Sequence, residues 1–298
     1  MWFRNLLIYR FPKDWATTAE ELAAQLESQR LRGCGTSDAT SLGWVPPREG
    51  GELVHAVNRQ WLLALGVEKK LLPTSVVRQF AKDRAKEIEE REGRKVGRKE
   101  MRELRDAITA ELLPRAFVNR RTTFGWIDPV NGWVVVDAGS LAKGDEFVGH
   151  LRKTVEGIPV RALKIERAPV GEMTAWINDN QAPAGFTLDQ DLDLRSPDEG
   201  VVRYAKHPLD GEEVRQHVAA GKVATRLGMT WADKISFVLT EAMQLKRLAF
   251  LDVLKEASEG QTDDEAERFD LDFALMAGEL ARLLDDLVEA LGGEQAEG

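Results

Sequence analysis

Five carboxylates crowd one short stretch late in the chain: Asp263, Asp264, Glu265, Asp270 and Asp272. Clustered acids are what a metal-dependent nuclease needs, because divalent ions held by them stabilise both the attacking and the leaving oxygen of a phosphodiester. Asp270 and Asp272, however, alternate with Phe269, Leu271 and Phe273 within a helical pattern, which turns most of these acids to water. The remaining reactive residues are scattered. His55, His150, His207 and His217 form no H-x-x-x-H pair. The single cysteine, Cys34, excludes an intrachain disulfide and a cysteine-built zinc site, and with only Arg32 as basic company it reads as a structural thiol. There is no G-x-x-x-x-G-K-[ST] loop and no strand-linked G-x-G-x-x-G, so neither ATP hydrolysis nor dinucleotide binding is expected. The expectation is a chain with no catalytic residues, no metal and no cofactor.

Cations give the stronger signal. Arg78, Lys82 and Lys86 recur every four residues, and Arg94, Arg98, Arg102 and Arg105 recur at four, four and three. Arg115, Arg120 and Arg121 follow closely. The chain's formal charge is -9, which alone argues against a polyanion partner, but the signs are segregated. From Arg78 to Arg121 fourteen Lys/Arg stand against nine Asp/Glu, about +5, and the rest of the chain is about -14. From Leu251 onward there are fifteen acids and three bases.

Basic rows on helix faces can track phosphates without reading bases, with affinity that falls steeply as salt rises. The same rows also fit ordinary solvated faces, since Glu87 with Arg91, Glu90 with Arg94 and Arg102 with Asp106 are spaced for pairing. No zinc finger, helix-turn-helix or aromatic RNA-binding signature is present, so any nucleic-acid contact here is expected to be sequence-independent.

The elements that must position these residues follow from periodicity. A strand is expected over 1–11, then a helix opened by the capping-box pattern Thr18-Ala-Glu-Glu21. Leu42 to Pro47 reads as an extended turn, and Trp61-Leu-Leu-Ala-Leu as a buried strand. The basic segment reads as a helical hairpin: one helix over 76–92 ending at Gly93, another over 98–113 stopped by Pro114. Its apolar stripes are narrow (Val77, Ala81, Ala85 and Ile88 against Met101, Leu104 and Ile108), which suits two helices packed on each other and otherwise wet. Asn131-Gly132 between apolar runs signals a β-hairpin. A helix over 145–155, a strand over 160–165 and a helix over 172–179 follow, with 189–200 as an acidic loop. A β-rich block over 201–252 contains one helix near 211–220. The last element is an amphipathic helix through Phe269, Phe273, Met276, Leu280, Leu283, Leu287 and Leu291, closed by Gly292-Gly293.

The expected fold is α+β: a mixed β-sheet body with a projecting basic helical hairpin and a long C-terminal helix. Four parts are expected: 1–73, the arm 74–121, 122–200 and 201–298. No apolar run approaches the roughly eighteen residues of a membrane span, and no signal peptide is evident, so a cytoplasmic location is expected. Phe117, just past the arm, is either a core residue anchoring the hairpin or an exposed apolar residue placed for self-association or for wedging against DNA.

Several of these segments resemble the RdgC family of bacterial recombination-associated proteins. The resemblance lies in Met1-Trp-Phe-Arg-Asn-Leu-Leu-Ile-Tyr-Arg10, Gly43-Trp-Val-Pro-Pro47, Leu112-Leu-Pro-Arg-Ala-Phe117 and Trp126-Ile-Asp-Pro-Val-Asn-Gly132. It continues through Gly221 to Thr225, Leu245 to Leu248, Arg268 to Phe273 and Met276 to Leu280. It implies a ring-forming homodimer around double-stranded DNA, nucleoid-associated, that restrains RecA by occupying DNA its filaments need. It also implies contacts where the ring opens at Phe117 and at Lys206-His207, although His207-Pro208 departs from the family pattern. The alternatives are a factor that contacts RecA directly and a metal nuclease working through the acidic tail.

Overall fold

The computed structural model describes residues 2–13, 15, 17–254, 262 and 264–295. Met1 of the expected first strand and Asp263 of the acidic cluster lie outside them.

The strands are β1 (Leu6–Arg10), β2 (Thr40–Val45), β3 (Val54–Val57), β4 (Gln60–Leu71), β5 (Phe117–Asp128) and β6 (Trp133–Asp137). They continue with β7 (Arg161–Ala162), β8 (Phe186–Arg195), β9 (Val201–Tyr204), β10 (Val223–Trp231), β11 (Ile235–Thr240) and β12 (Leu245–Phe250). The helices are α1 (Ala19–Glu27), α2 (Thr74–Glu92), α3 (Arg98–Leu112), α4 (Leu141–Thr154), α5 (Pro169–Asp179), α6 (Glu212–Ala219) and α7 (Glu265–Ala290).

All twelve strands join one sheet in the order β2-β4-β5-β6-β1-β12-β11-β10-β8-β9, with β3 pairing β4 and β7 pairing β1. The fold is α+β, but every strand pair is antiparallel, so the expectation of a mixed sheet is corrected. The reason lies in the connections: β3–β4, β5–β6, β8–β9, β10–β11 and β11–β12 are joined by turns too short for a parallel crossover.

Alternation along each strand divides the core in two. Leu62, Trp126, Trp133, Val135, Leu6 and Ile8 line one face, where Met173, Trp176 and the apolar stripe of α7 from Phe273 to Leu291 pack. Leu63, Leu65, Val134, Val136 and Leu7 line the other, where Leu22 and Leu26 of α1 and Phe147, Val148 and Leu151 of α4 pack. Gly125 is required by that second contact: a Cβ there would sit 2.2 Å from Phe147 Cζ. The capping box of α1 forms as its sequence predicts, with Thr18 and Glu21 exchanging hydrogen bonds.

Three local readings change. Residues 189–195 are strand, not loop, because Leu188, Leu192 and Leu194 alternate with acids and pair along β10. The strand expected over 160–165 reduces to the two residues of β7, paired at Tyr9 and Arg10. The segment before the two prolines is a true strand, β2, paired with β4 from Thr40–Lys69 to Val45–Ala64.

Candidate nucleic-acid interface

Helix α2 begins directly after Pro73, whose φ of -61° and ψ of 136° turn the chain out of β4. It ends where Gly93 adopts the left-handed conformation (φ 65°) and its N–H reaches the Glu89 carbonyl at 2.9 Å. Nineteen helical residues make α2 about 28 Å long. The return to α3 is clipped by the Glu89 carboxylate, which accepts from the Val96 N–H at 2.9 Å. Val77, Ala81 and Ile108 form a third apolar cluster with Leu72, Met101 and Leu112, separate from the two cores of the body. Of the two stripes, Val77, Ala81, Met101 and Ile108 join this cluster, and most other positions of α2 and α3 are exposed.

The pairs expected from sequence spacing are replaced by others. Arg94 reaches Glu92 and Glu100, each at 2.7 Å, joining the end of α2 to the first turn of α3. Hydrogen bonds donated to Glu100, then to Glu92, raise the Arg94 pKa above its ordinary value. Lys86 lies 3.7 Å from Glu90, and Arg84 lies 3.8 Å from Glu111. Arg120 is engaged in the body, where its Nε donates to Glu68 at 2.9 Å directly across the β4–β5 register. That bond and the Cys34 N–H hold the Glu68 carboxyl below its usual pKa. Arg121 donates to Glu146 of α4 at 2.6 Å.

Among the described residues, Arg78, Lys82, Lys95, Arg98, Arg102, Arg105 and Arg115 have no carboxylate within 4.0 Å, half of the fourteen cations of this segment. Of the residues singled out from sequence, then, Arg78, Lys82, Arg98, Arg102, Arg105 and Arg115 keep their donors free, while Lys86, Arg94, Arg120 and Arg121 are paired. Arg78 and Arg105 meet across the base of the helical pair, in a groove that also takes in Lys69, Lys70, Val77 and Thr109. Lys70 is buried, with its ammonium donating to the carbonyls of Gly35 and Thr36 at 2.5 and 2.9 Å. Sequence reasoning passed over Lys69 and Lys70. Their signal was a doublet at the end of a long strand, immediately before the basic helix.

Phe117 begins β5 and is 84 % exposed, so it anchors no core. Its cross-strand partner Leu71 is exposed too, as are Val118 and, on α2, Val76 and Phe80. Lys206 and His207 lie just past β9, seven strand positions from β5, so one protomer does not bring them to Phe117 through the sheet. Lys206 takes a left-handed conformation (φ 53°), and its N–H donates to Asp191. The His207 ring stacks near Tyr204 and stands 3.8 Å from Glu213.

Two acids of the late acidic stretch have structural partners. Asp264 caps α7, accepting from the Ala266 and Glu267 N–H groups. Asp270 joins Arg48 at 3.3 Å and His55 at 2.9 Å, tying α7 to β3. Burial holds the His55 pKa low against the pull of Asp270. Among the described residues, no group of three His, Cys, Asp or Glu is placed to hold a metal ion, and no helix is long and apolar enough to cross a membrane.

A family profile described as "Putative exonuclease, RdgC" matches residues 1–294. The chain belongs to the RdgC family. It is 55 % identical over 299 residues to the Recombination-associated protein RdgC of Herminiimonas arsenicoxydans, with both chains covered in full. It is 54 % identical to the protein of that name from Janthinobacterium sp. (strain Marseille) and 52 % to that of Cupriavidus pinatubonensis, each over 99 % of both chains. The profile's description and the relatives' names point to different activities, one a nuclease and the other a recombination-associated protein. In this RdgC-family chain two of the carboxylates a nuclease would draw on are already engaged, Asp264 as a helix cap and Asp270 as the partner of Arg48 and His55.

Proposed function

We propose that this chain is a non-enzymatic RdgC-family protein that binds duplex DNA without sequence preference, closes around it as a homodimeric ring, and limits the access of RecA to that DNA. The observation that carries the reading is the row of guanidiniums without carboxylate partners on α3 (Arg98, Arg102 and Arg105), of which Arg105 shares a groove with Arg78 of α2, in a chain whose net charge is -9. A cation without a carboxylate partner can neutralise a phosphate and release one of the counterions condensed on DNA, whereas a paired one must first give up its carboxylate. The resemblance supports the ring, and the exposure of Phe117 supports its use where two copies meet. Association with the nucleoid would follow from non-specific DNA binding.

Replacing Arg98, Arg102 and Arg105 together with glutamine tests the reading. The expected result is weaker duplex binding, with the slope of log K against log [salt] reduced by about two to three. Unchanged affinity and slope would remove α3 from the interface. Enclosure has its own test: linear duplex with both ends blocked should load and retain the protein differently from open-ended duplex. Equal behaviour would count against a ring.

A further inference from the structure

The half of the sheet built from β8 to β12 presents a second polar face, opposite the one packed by α5 and α7. On it, three arginines converge on two aspartates around an open groove. The β8–β9 register sets Arg203 opposite Asp193, and the β8–β10 register sets Arg226 opposite the same residue. Arg203 Nε donates to Asp193 at 2.9 Å, and Arg226 lies 3.8 Å from it. Arg247, from β12, crosses to Asp191 at 3.2 Å.

Register shifts lie beside two of these side chains, Arg226 and Arg247. The β10–β8 register shifts between Ala224 and Arg226, and the β11–β12 register shifts between Ser236 and Val238, opposite the stretch that holds Arg247. Arg247 itself has φ 54°, a left-handed conformation within a strand that favours glycine. Its backbone N–H donates to Asn5 Oδ1 at 3.4 Å, and its exposed ion pair with Asp191 adds little to that. Bulges and strained residues that re-aim a side chain cluster where a surface has a task.

We infer that Arg203, Arg226 and Arg247 form a phosphate-binding site on this sheet face, and that its ligand is the backbone of the duplex DNA assigned above, on which reading this inference rests. Each guanidinium has five N–H donors. Asp191 and Asp193 engage one or two per arginine and fix their positions, leaving the rest for phosphate oxygens. The other acids of this face are already hydrogen-bonded, Asp189 to Thr230 and Glu241 to Arg195. Five strands at their usual spacing span about 19 Å, enough for several phosphates along one groove. Among the residues lining the groove itself, three arginines stand against two aspartates.

The test uses the full chain carrying Arg203→Gln, Arg226→Gln and Arg247→Gly, with duplex binding measured by fluorescence anisotropy across a salt series. The expected result is affinity about tenfold weaker at moderate salt and a log–log slope lowered by about two to three. Arg247→Gly alone should lower the slope by about one while leaving the melting temperature unchanged or raised, since glycine accepts the φ that arginine resists. A melting temperature that falls while the slope holds would make Arg247 a structural residue and overturn the inference. Inorganic phosphate is the comparison ligand. If the triple variant loses phosphate binding but keeps full duplex affinity, the site serves a small free anion and the DNA assignment fails. Failure of the parent chain to bind duplex would instead sink the function proposed above, so the two failures are distinct.

Discussion

Leu71 and Phe117 stand opposite one another at the last paired position of β4 and β5, and both are largely exposed, at 50 % and 84 %. An apolar cross-strand pair left in water at the root of the basic helices is a surface awaiting a partner. Phe117→Ala should therefore barely affect the fold, within about 0.5 kcal/mol. It should also shift the monomer–dimer equilibrium towards monomer in sedimentation velocity. A loss of several kcal/mol with self-association intact would show that the ring supports the fold instead.

Arg94 and Arg98 lie close in sequence but should behave oppositely. Arg94 is bound by Glu100 and Glu92, and Arg98 by no carboxylate within reach among the described residues. Arg94→Gln should leave the salt slope of DNA binding unchanged and speed amide hydrogen exchange over 93–100. Arg98→Gln should do the reverse, lowering the slope by about one and leaving exchange alone.

Burial lowers the pKa of His55 and of His150 below the ordinary 6.5. A histidine whose folded pKa lies below its unfolded value binds fewer protons when folded. Its contribution is fully present above pH 6.5 and is lost as pH falls from there through the folded pKa. Urea midpoints measured between pH 7 and pH 5 should decline, and the double variant His55→Gln, His150→Gln should decline less. Parallel curves would mean that neither histidine drives the acid sensitivity.

Gly125→Ala should destabilise the fold by about 1–3 kcal/mol through overpacking against Phe147, because the added methyl would sit 2.2 Å from that ring. Phe147→Leu in the same chain should recover part of the loss. Additive losses in the double variant would place the strain elsewhere.

No divalent-dependent cleavage is expected. Purified protein incubated with supercoiled and linear plasmid in Mg²⁺ or Mn²⁺ should leave both intact on a gel. Cleavage abolished by Asp270→Asn would restore the nuclease reading and oblige Asp270 to serve more than Arg48 and His55.

The helical pair was legible from sequence because its signals are local: Gly93 and Pro114 punctuate it, and Val77, Ala81, Ala85 and Ile108 keep helical spacing. The long C-terminal helix was legible for the same reason. Strand β8 was misjudged because its composition drew attention away from its order: Asp189, Asp191 and Asp193 read as loop, while Leu188, Leu192 and Leu194 kept a period of two. The arginine groove was out of reach. Arg203, Arg226 and Arg247 come from three strands, and the ladders that place Arg226 and Arg247 carry register shifts that no local pattern encodes. Nor could spacing show which cations would be paired, since Arg120 and Arg121 find Glu68 and Glu146, which lie 52 and 25 residues away.

The first strand sits mid-sheet, between β6 and β12, and meets β12 at a single register position, Leu6 with Leu245. Close by, the Leu248 N–H donates to the Arg4 carbonyl, and the Phe3 N–H reaches Met276 Sδ, 273 residues further on. On a ribosome, β1 is made long before β12, and its far edge stays unsatisfied until β12 emerges. The sheet is thus completed late, by a narrow seam of high contact order. An exposed early strand of this kind makes the nascent chain a client for chaperones and makes the seam the natural place for unfolding to begin.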